Sequence, residues 1–384
     1  MNYAFNIFRK ISYRIFLGLF LLAIGTAVSP IEAKTTIKKA TIKDSLDQTK
    51  IALKKINLIY SNDLEGTVDT CGCGQDPGGG VLRRLNWYKK NKFSKLNALY
   101  LNVGNTLFNP SPYMDYEVKY MNYGAKTIAY SMKLMNITAY TPGEQDFKMG
   151  IASFIKLTKN IPVLISNSTD DSFKKEITLS LAGQKIAIIG LVDPALFKDE
   201  LSKKLKLTDP IKELKSAVKK LRKDNDIIIC NVYTEQKMLD SLTKIKGVDI
   251  FVSSSINEEL TRPQIVNNAI VLRVFKGGDS IGLLSYEHKK NSKKIDLSNN
   301  NYIIAKLAQI DVIKNTVSDK DTLKKLNREK KKLEKIKVEV RNKDSKFENS
   351  IEYLGGIYAS KNELSARVKK YEALQKSATP QLKL

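Results

Sequence analysis

The sequence predicts an α/β fold in which helices cover layered sheets. Three observations carry that expectation. Short β-branched runs alternate with stretches of helical periodicity, as in "INLIYS" (56–61) followed by "GGGVLRRLNWYKK". Two apolar runs joined by Ala182-Gly183-Gln184 in "EITLSLAGQKIAIIGLVDP" read as a hairpin, so the sheets are mixed. Polar residues gather where strands end: Asn62-Asp63-Leu64-Glu65, Gly104-Asn105, Gly143-Glu144-Gln145-Asp146, Asn231 and Ser253 to Asn257. In open α/β sheets, loops at the carboxyl ends of strands carry ligands and reactive groups.

The elements follow in order. Residues 56–61 form a buried strand that runs into a polar loop. The glycine run before Val81 starts a helix with Val81, Leu85 and Tyr88 on one face. "LNALYLNVGN" is the second strand, 115–136 a helix, "ITAYTPGEQD" a strand entering a turn, and "IPVLISN" a further strand. After the hairpin, Ile211, Leu214, Val218 and Leu221 mark an amphipathic helix. A strand at 226–232, a helix at 235–246, a strand at 248–253, and strands around 264–274 and 280–287 complete the pattern. The polar spacer "KKNSKKIDLSNNN" follows. Beyond it, Leu323, Leu326, Leu333, Ile336 and Val340, then Leu364, Val368, Tyr371 and Leu374, recur at threes and fours. This reads as two helices, either a coiled-coil segment or helices packed on the main domain.

The N-terminus reads as a targeting segment. Arg9, Lys10 and Arg14 precede the apolar run "IFLGLFLLAIGTAV", which falls short of the roughly 20 residues of a spanning helix. "SPIEA" offers cleavage after Ala33, an expectation of secretion to a periplasmic or extracellular compartment, with an uncleaved anchor as the alternative. The expected organisation is a signal peptide at 1–33, a linker at 34–54, the α/β domain at 55–298 and a helical, coiled-coil-like tail at 299–384. The net charge of +25 comes from 65 Lys and Arg against 40 Asp and Glu. Export argues against nucleic acid as its partner. An anionic envelope surface or a phosphorylated ligand fits it, and the helical tail offers a surface for a protein partner.

The chain has three cysteines and one histidine, His288. Cys230 lies in the apolar run "NDIIICNVY" and reads as a core thiol. Cys71 and Cys73, separated by Gly72, are open to three readings: ligands of a soft metal with Asp63 nearby, a redox dithiol, or a structural turn.

The ordered strand ends resemble the 5'-nucleotidase-like metallophosphoesterases of the calcineurin type. "SNDLEG" stands where that family has Asn-Asp-x-His-Gly, "GGGVLRR" where it has Gly-Gly-Leu-x-Arg, Gly104-Asn105 where it has Gly-Asp, and "GEQD" where it has Gly-Asn-His-Glu. "IPVLISN", "KIAIIGLVDP", "NDIIICNVY" and "VDIFVSSSIN" are similar to the later strands, and Cys-Gly-Cys before the glycines to an exported subgroup. The resemblance implies a four-layer metallophosphoesterase sandwich, two mixed sheets flanked by helices, with a helical C-terminal appendage.

It also implies a divalent-metal phosphoester or nucleotide hydrolase, and here the residues depart from it. Only Asp63 is retained among the family's ligands. Glu65 stands at a His, Asn105 at the bridging Asp, Glu144 at the Asn, Gln145 at the catalytic His, and Tyr233, Ser255 and Asn257 at the last three histidines. A conventional two-metal centre is therefore not expected. Asp63, Glu65, Asn105 and Glu144, with Asp146, leave an oxygen set suited at most to a hard cation. Glu144, Gln145 and Asp146 become vestigial catalytic positions, and Arg83 and Arg84 at the helix start become candidate anion binders. The expectation is an exported family member with impaired or lost hydrolysis. The alternative is a non-catalytic envelope binding or scaffold protein.

Overall fold

The computed structural model describes residues 55–378 apart from 71–76, 94–95, 97, 257, 259, 261, 318 and 339–340, all within one compact unit. The first half of the domain alternates β1 (Ile56–Asn62), α1 (Gly80–Lys90), β2 (Ala98–Gly104), α2 (Val118–Leu134), β3 (Ala139–Pro142) and α3 (Ile151–Leu157). Then come β4 (Glu176–Leu181), β5 (Gln184–Val192), α4 (Asp199–Lys204), α5 (Pro210–Leu221), β6 (Ile227–Tyr233), α6 (Gln236–Leu242) and β7 (Ile250–Ser254). The remainder is β8 (Gln264–Val266), β9 (Ala269–Leu272), β10 (Ser280–Glu287), β11 (Lys294–Asp296), α7 (Asn300–Thr316), α8 (Lys320–Ile336), β12 (Ser345–Tyr353) and α9 (Ser365–Ala378).

The strands form two six-stranded mixed sheets, ordered β11-β12-β10-β1-β2-β3 and β4-β5-β6-β7-β9-β8. Strand β1 is parallel to β2 and antiparallel to β10, and nearly every residue of it is buried, as its continuous apolar run requires. Strand β5 shows how the layers form. Ile186 and Ile188 join the core shared with the first sheet, while Ala187, Ile189 and Leu191 turn to the core beneath α5 and α6. Cys230 is fully buried in that second core, and burial pushes its thiol up.

Local chemistry explains the boundaries. Asp209 caps α5 by accepting from the Ile211 and Lys212 N–H groups at 2.8 and 3.3 Å, and Pro210 occupies the first turn. The β4–β5 loop is Ala182-Gly183 with φ of 53° and 75°, the sense of a two-residue turn that matches strand twist. Helix α1 starts at Gly80, whose φ is 80° and where a Cβ would meet the Asp69 backbone at 3.0 Å.

Three expectations are corrected. "IPVLISN" is extended but makes only isolated bridges, Tyr140 to Val163 and Leu164 to Lys174. The run around 264–274 is a hairpin, β8–β9, turning at Asn267-Asn268, both at positive φ. The region after 298 is not purely helical. Strand β12 inserts between β11 and β10, paired from Ser280 with Tyr353 to Glu287 with Lys346. Its polar, alternating sequence carries few apolar residues and is hidden by the leucine periodicity on either side. The boundary drawn at 298 therefore cuts through the first sheet. Helix α9 packs on α2 with Val368 buried, with Tyr371 edge-on to Tyr120 at 5.9 Å and with Arg367 4.3 Å over the Tyr130 ring.

Candidate functional site

The predicted polar clusters meet where β1, β2, β3, β6 and β7 end. Asp63 and Glu65 sit at φ of 43° and 52°, and Ser255 at 69°. Left-handed backbone at such side chains costs on the order of 1–2 kcal/mol each. Pairing of the loops holds it in place: Asp63 N–H donates to Val103 O at 3.0 Å, Glu65 N–H to Asn105 O at 2.8 Å and Gly66 N–H to Thr106 O at 3.1 Å.

Asp63 is 3 % exposed and ties three strand ends together. Its Oδ1 accepts the Asn105 N–H at 3.0 Å, and its Oδ2 accepts the Ser255 N–H at 2.9 Å and the Asn62 Nδ2 at 3.3 Å. Burial outweighs these donors and pushes the carboxyl up to about 6. Asn62 itself is fixed by a reciprocal pair with Val274. A Cβ at Gly104 would overlap the Asp63 carboxylate and the Ser254 hydroxyl, so the loops close directly on one another.

The positions that would surround a metal are bonded to each other. Asn105 Oδ1 accepts the Gln145 N–H at 2.9 Å, and its Nδ2 donates to the Tyr233 hydroxyl at 3.3 Å. Tyr233 is 4 % exposed, packs edge-on to Phe197, and is pushed up to about 12 by burial. Gln145 Nε2 donates to Glu144 Oε2 at 2.5 Å, while Glu144 Oε1 accepts the Lys198 N–H at 3.3 Å. Glu65 is half-buried with Lys276 at 3.9 Å, and burial raises its carboxyl.

Asp146 differs from the sequence reading. It is 1 % exposed and accepts the Thr106, Leu107 and Gly143 N–H groups at 2.8, 2.6 and 2.9 Å. It braces two loops from behind rather than joining an oxygen cup, and burial pushes it up to about 7. Arg84 differs too. The helix glycines lead it inward, where it is 2 % exposed and donates to the Tyr100 hydroxyl at 3.0 Å and to the Gly278 and Ser280 carbonyls at 2.8 and 3.4 Å. Those bonds make it a clamp between α1 and the first sheet instead of an anion binder. Arg83 beside it is half-buried, with an Nε that finds no partner. Cys71, Cys73 and Asn257 lie outside the described residues.

Sequence reasoning missed a polar ladder behind the site. Ser61 Oγ donates to Asn102 Oδ1 at 2.7 Å, Asn102 Nδ2 to Thr106 Oγ1 at 2.6 Å, and Asn231 Nδ2 to Asn102 O at 3.3 Å. Asn102 and Asn231 both carry a signal, as polar residues inside apolar strands, and of the two only Asn231 stands out in the reading of strand ends. Arg273, 2 % exposed, was also missed; its NH1 reaches Ser253 Oγ at 3.3 Å.

A divalent two-metal centre does not fit this donor set. The bridging position is a neutral amide. Where the resemblance places imidazoles, the described residues are the carboxylate of Glu65, the amide of Gln145, the phenol of Tyr233 and the hydroxyl of Ser255; Asn105 bonds to Gln145 and Tyr233, and Glu65 faces Lys276. Among the described residues no group of three or more His, Cys, Asp or Glu is gathered around a point that could hold a metal ion. Two open cavities flank the cluster: one of about 420 Å³ beside Glu65, walled by Asp69, Phe108, Tyr120 and Tyr371, and one of about 830 Å³ beside Glu144 and Gln145, rimmed by Lys148, Lys198 and Lys204.

No family model matches the chain, and no curated protein matches it in sequence. Solved structures do. The calcineurin-like phosphoesterase YfkN from Bacillus subtilis matches over 84% of this chain and 98% of that chain, with a TM-score of 0.54 at 15% identity. The 5'-nucleotidase precursor from Thermus thermophilus matches over 60% of this chain and 51% of that one, with a TM-score of 0.51 at 19% identity. The NAD nucleotidase of Haemophilus influenzae gives the same TM-score at 17% identity, over 60% and 47%. The chain thus spans about half the length of these two nucleotidases. What is shared is architecture: the described domain has the calcineurin-like phosphoesterase fold, two mixed sheets between helices.

Proposed function

We propose that this chain is an exported protein of the 5'-nucleotidase-like phosphoesterase type in which conventional two-metal hydrolysis has been lost. The observation that carries the reading is the hydrogen-bonded chain Asp63–Asn105–Tyr233, with Gln145 and Glu144 joined to it through Asn105. Hydrolysis of that kind needs a metal-bound hydroxide and cations that neutralise phosphoryl oxygens. Here the same positions supply amides, a phenol, a hydroxyl and carboxylates, none of which offsets the negative charge of a phosphoryl group. What remains available to a phosphorylated ligand is the lysine-rimmed cavity beside Gln145 rather than the strand ends themselves.

The test is a set of phosphatase assays on the purified protein with p-nitrophenyl phosphate, its bis ester and AMP, each with zinc, manganese or calcium added. The expected result is no turnover above the buffer blank, unchanged by Asp63→Ala. Turnover in the common enzymatic range of about 1–1000 per second, abolished by Asp63→Ala, overturns the proposal.

A further inference from the structure

The helical hairpin α7–α8 has two features that the phosphoesterase fold does not need. Helix α8 carries eight Lys or Arg against three Asp or Glu in 17 residues, and none of its side chains is fully buried. At helical spacing Lys320, Lys324, Arg328, Lys331 and Lys335 share one exposed face. Half-buried Leu323, Leu326 and Leu333 lie on the other, toward α7. Helix α7 is apolar on both sides. Ile303 and Ile310 are buried, at 6 % and 1 %, but Ile304, Val312 and Tyr302 are exposed at 45 %, 65 % and 60 %. Ile304, Ala308 and Val312, one turn apart, form an outward apolar row. The Asp311–Lys330 pair at 2.6 Å holds the two helices side by side, so the basic face and the apolar row belong to one surface element.

We propose that the α7–α8 hairpin docks on the surface of an anionic lipid bilayer. A basic helical face beside exposed aliphatic and tyrosine side chains is the composition that lies in a headgroup layer. Lysines pair with lipid phosphates, and Ile304, Val312 and Tyr302 enter the acyl boundary. Among the described residues no helix is long and apolar enough to cross a membrane, so the contact is peripheral. Charge decides against a second copy as the occupant, because self-association would set one basic face against another in a chain of net charge +25.

The test is co-sedimentation of the purified chain with vesicles of phosphatidylglycerol and phosphatidylcholine, against vesicles of phosphatidylcholine alone. The N-terminal segment is common to all variants, so differences between them report on the hairpin. Binding is expected to the anionic vesicles and to fall steeply with salt. Lys324→Glu/Lys331→Glu/Lys335→Glu should weaken it at least about tenfold. A control with the same charge change elsewhere, Lys219→Glu/Lys223→Glu/Lys244→Glu, should leave it within about twofold. Val312→Ser with Ile304→Ser should weaken it at unchanged net charge, and circular dichroism should confirm that each variant is folded. Equal loss in the control triple overturns the proposal in favour of undirected net charge. Absence of vesicle binding, or a concentration-dependent dimer in sedimentation that Val312→Ser with Ile304→Ser dissolves, overturns it in favour of a protein partner or a second copy.

Discussion

Strand β7 meets a buried carboxylate at each end, and the two are stabilised in opposite ways. At its start, Asp249 is 7 % exposed and pairs with Lys294 Nζ at 3.1 Å and Arg222 at 2.5 Å, while also accepting the Ile228 N–H at 2.9 Å. Burial alone would raise this group, but Lys294 and Arg222 outweigh it and hold the carboxyl below the usual range. At the other end, the Ser255 N–H caps Asp63, whose hydrogen bonds come only from amides and which burial pushes up to about 6. Asp146 behind it is pushed up to about 7 for the same reason. One end of the sandwich is thus an ion cluster, while at the other Asp63 and Asp146 are held by N–H donors, with no cation among the described residues in a salt bridge to either. The strand-end pair serves as a hydrogen-bonded brace.

The sharpest way to break the comparison is at the ion cluster. Asp249→Ala leaves Lys294, 4 % exposed, buried and unpaired, and should cost about 3–5 kcal/mol in urea denaturation. Asp146→Ala leaves three N–H groups without acceptors but removes no partner of a buried cation. It should cost about 2–3 kcal/mol, less than the first change. If the two lose the same amount, the distinction between cluster and brace fails.

The pH dependence should separate the ends further. Asp63 and Asp146 keep their protons to higher pH when folded than when unfolded. The folded state binds more protons between the unfolded value near 4 and their folded values of about 6 and 7. Their contribution therefore stabilises at low pH and is lost as pH rises through that window. Asp249 has the opposite sign: its contribution is present above the unfolded value and lost as pH falls through its lower folded one. Denaturation midpoints should decline from about pH 4.5 to about 7.5, and Asp146→Asn should flatten part of that slope. A wild-type midpoint that rises across the same window contradicts the assignment. The smallest effect belongs to Lys276→Ala, which removes a half-exposed pair with Glu65 at 3.9 Å and should change stability by under about 0.5 kcal/mol.

Much of this was legible in the chain. Element types follow from local periodicity, so β1, α1, β2, α2, the β4–β5 hairpin and α5 were readable before any fold was assembled. The gathering of the strand ends that carry Asp63, Asn105, Gln145 and Ser255 was also readable, because strand ends in layered α/β folds converge, while Tyr233 came in only through the resemblance. Strand β12 was not, since its sequence is polar and its partners lie some sixty residues away in β10. Arg84 was read by its place at a glycine-started helix, and only packing shows that its guanidinium turns inward to Tyr100 and Gly278.

Legible in residue order alone are the alternation of layers, the polar strand ends, the basic α8 and the absence of histidine from the candidate site. Those are properties of residue type and spacing, which local physics acts on directly. Only the tertiary structure decided which polar groups satisfy one another: that Asp146 braces loops, that Asp63 finds amides where Asp249 finds Lys294 and Arg222, and that the C-terminal segment completes a sheet. Burial is a property of the assembled chain, and a buried polar group must find its partner wherever folding brings one, however distant in sequence.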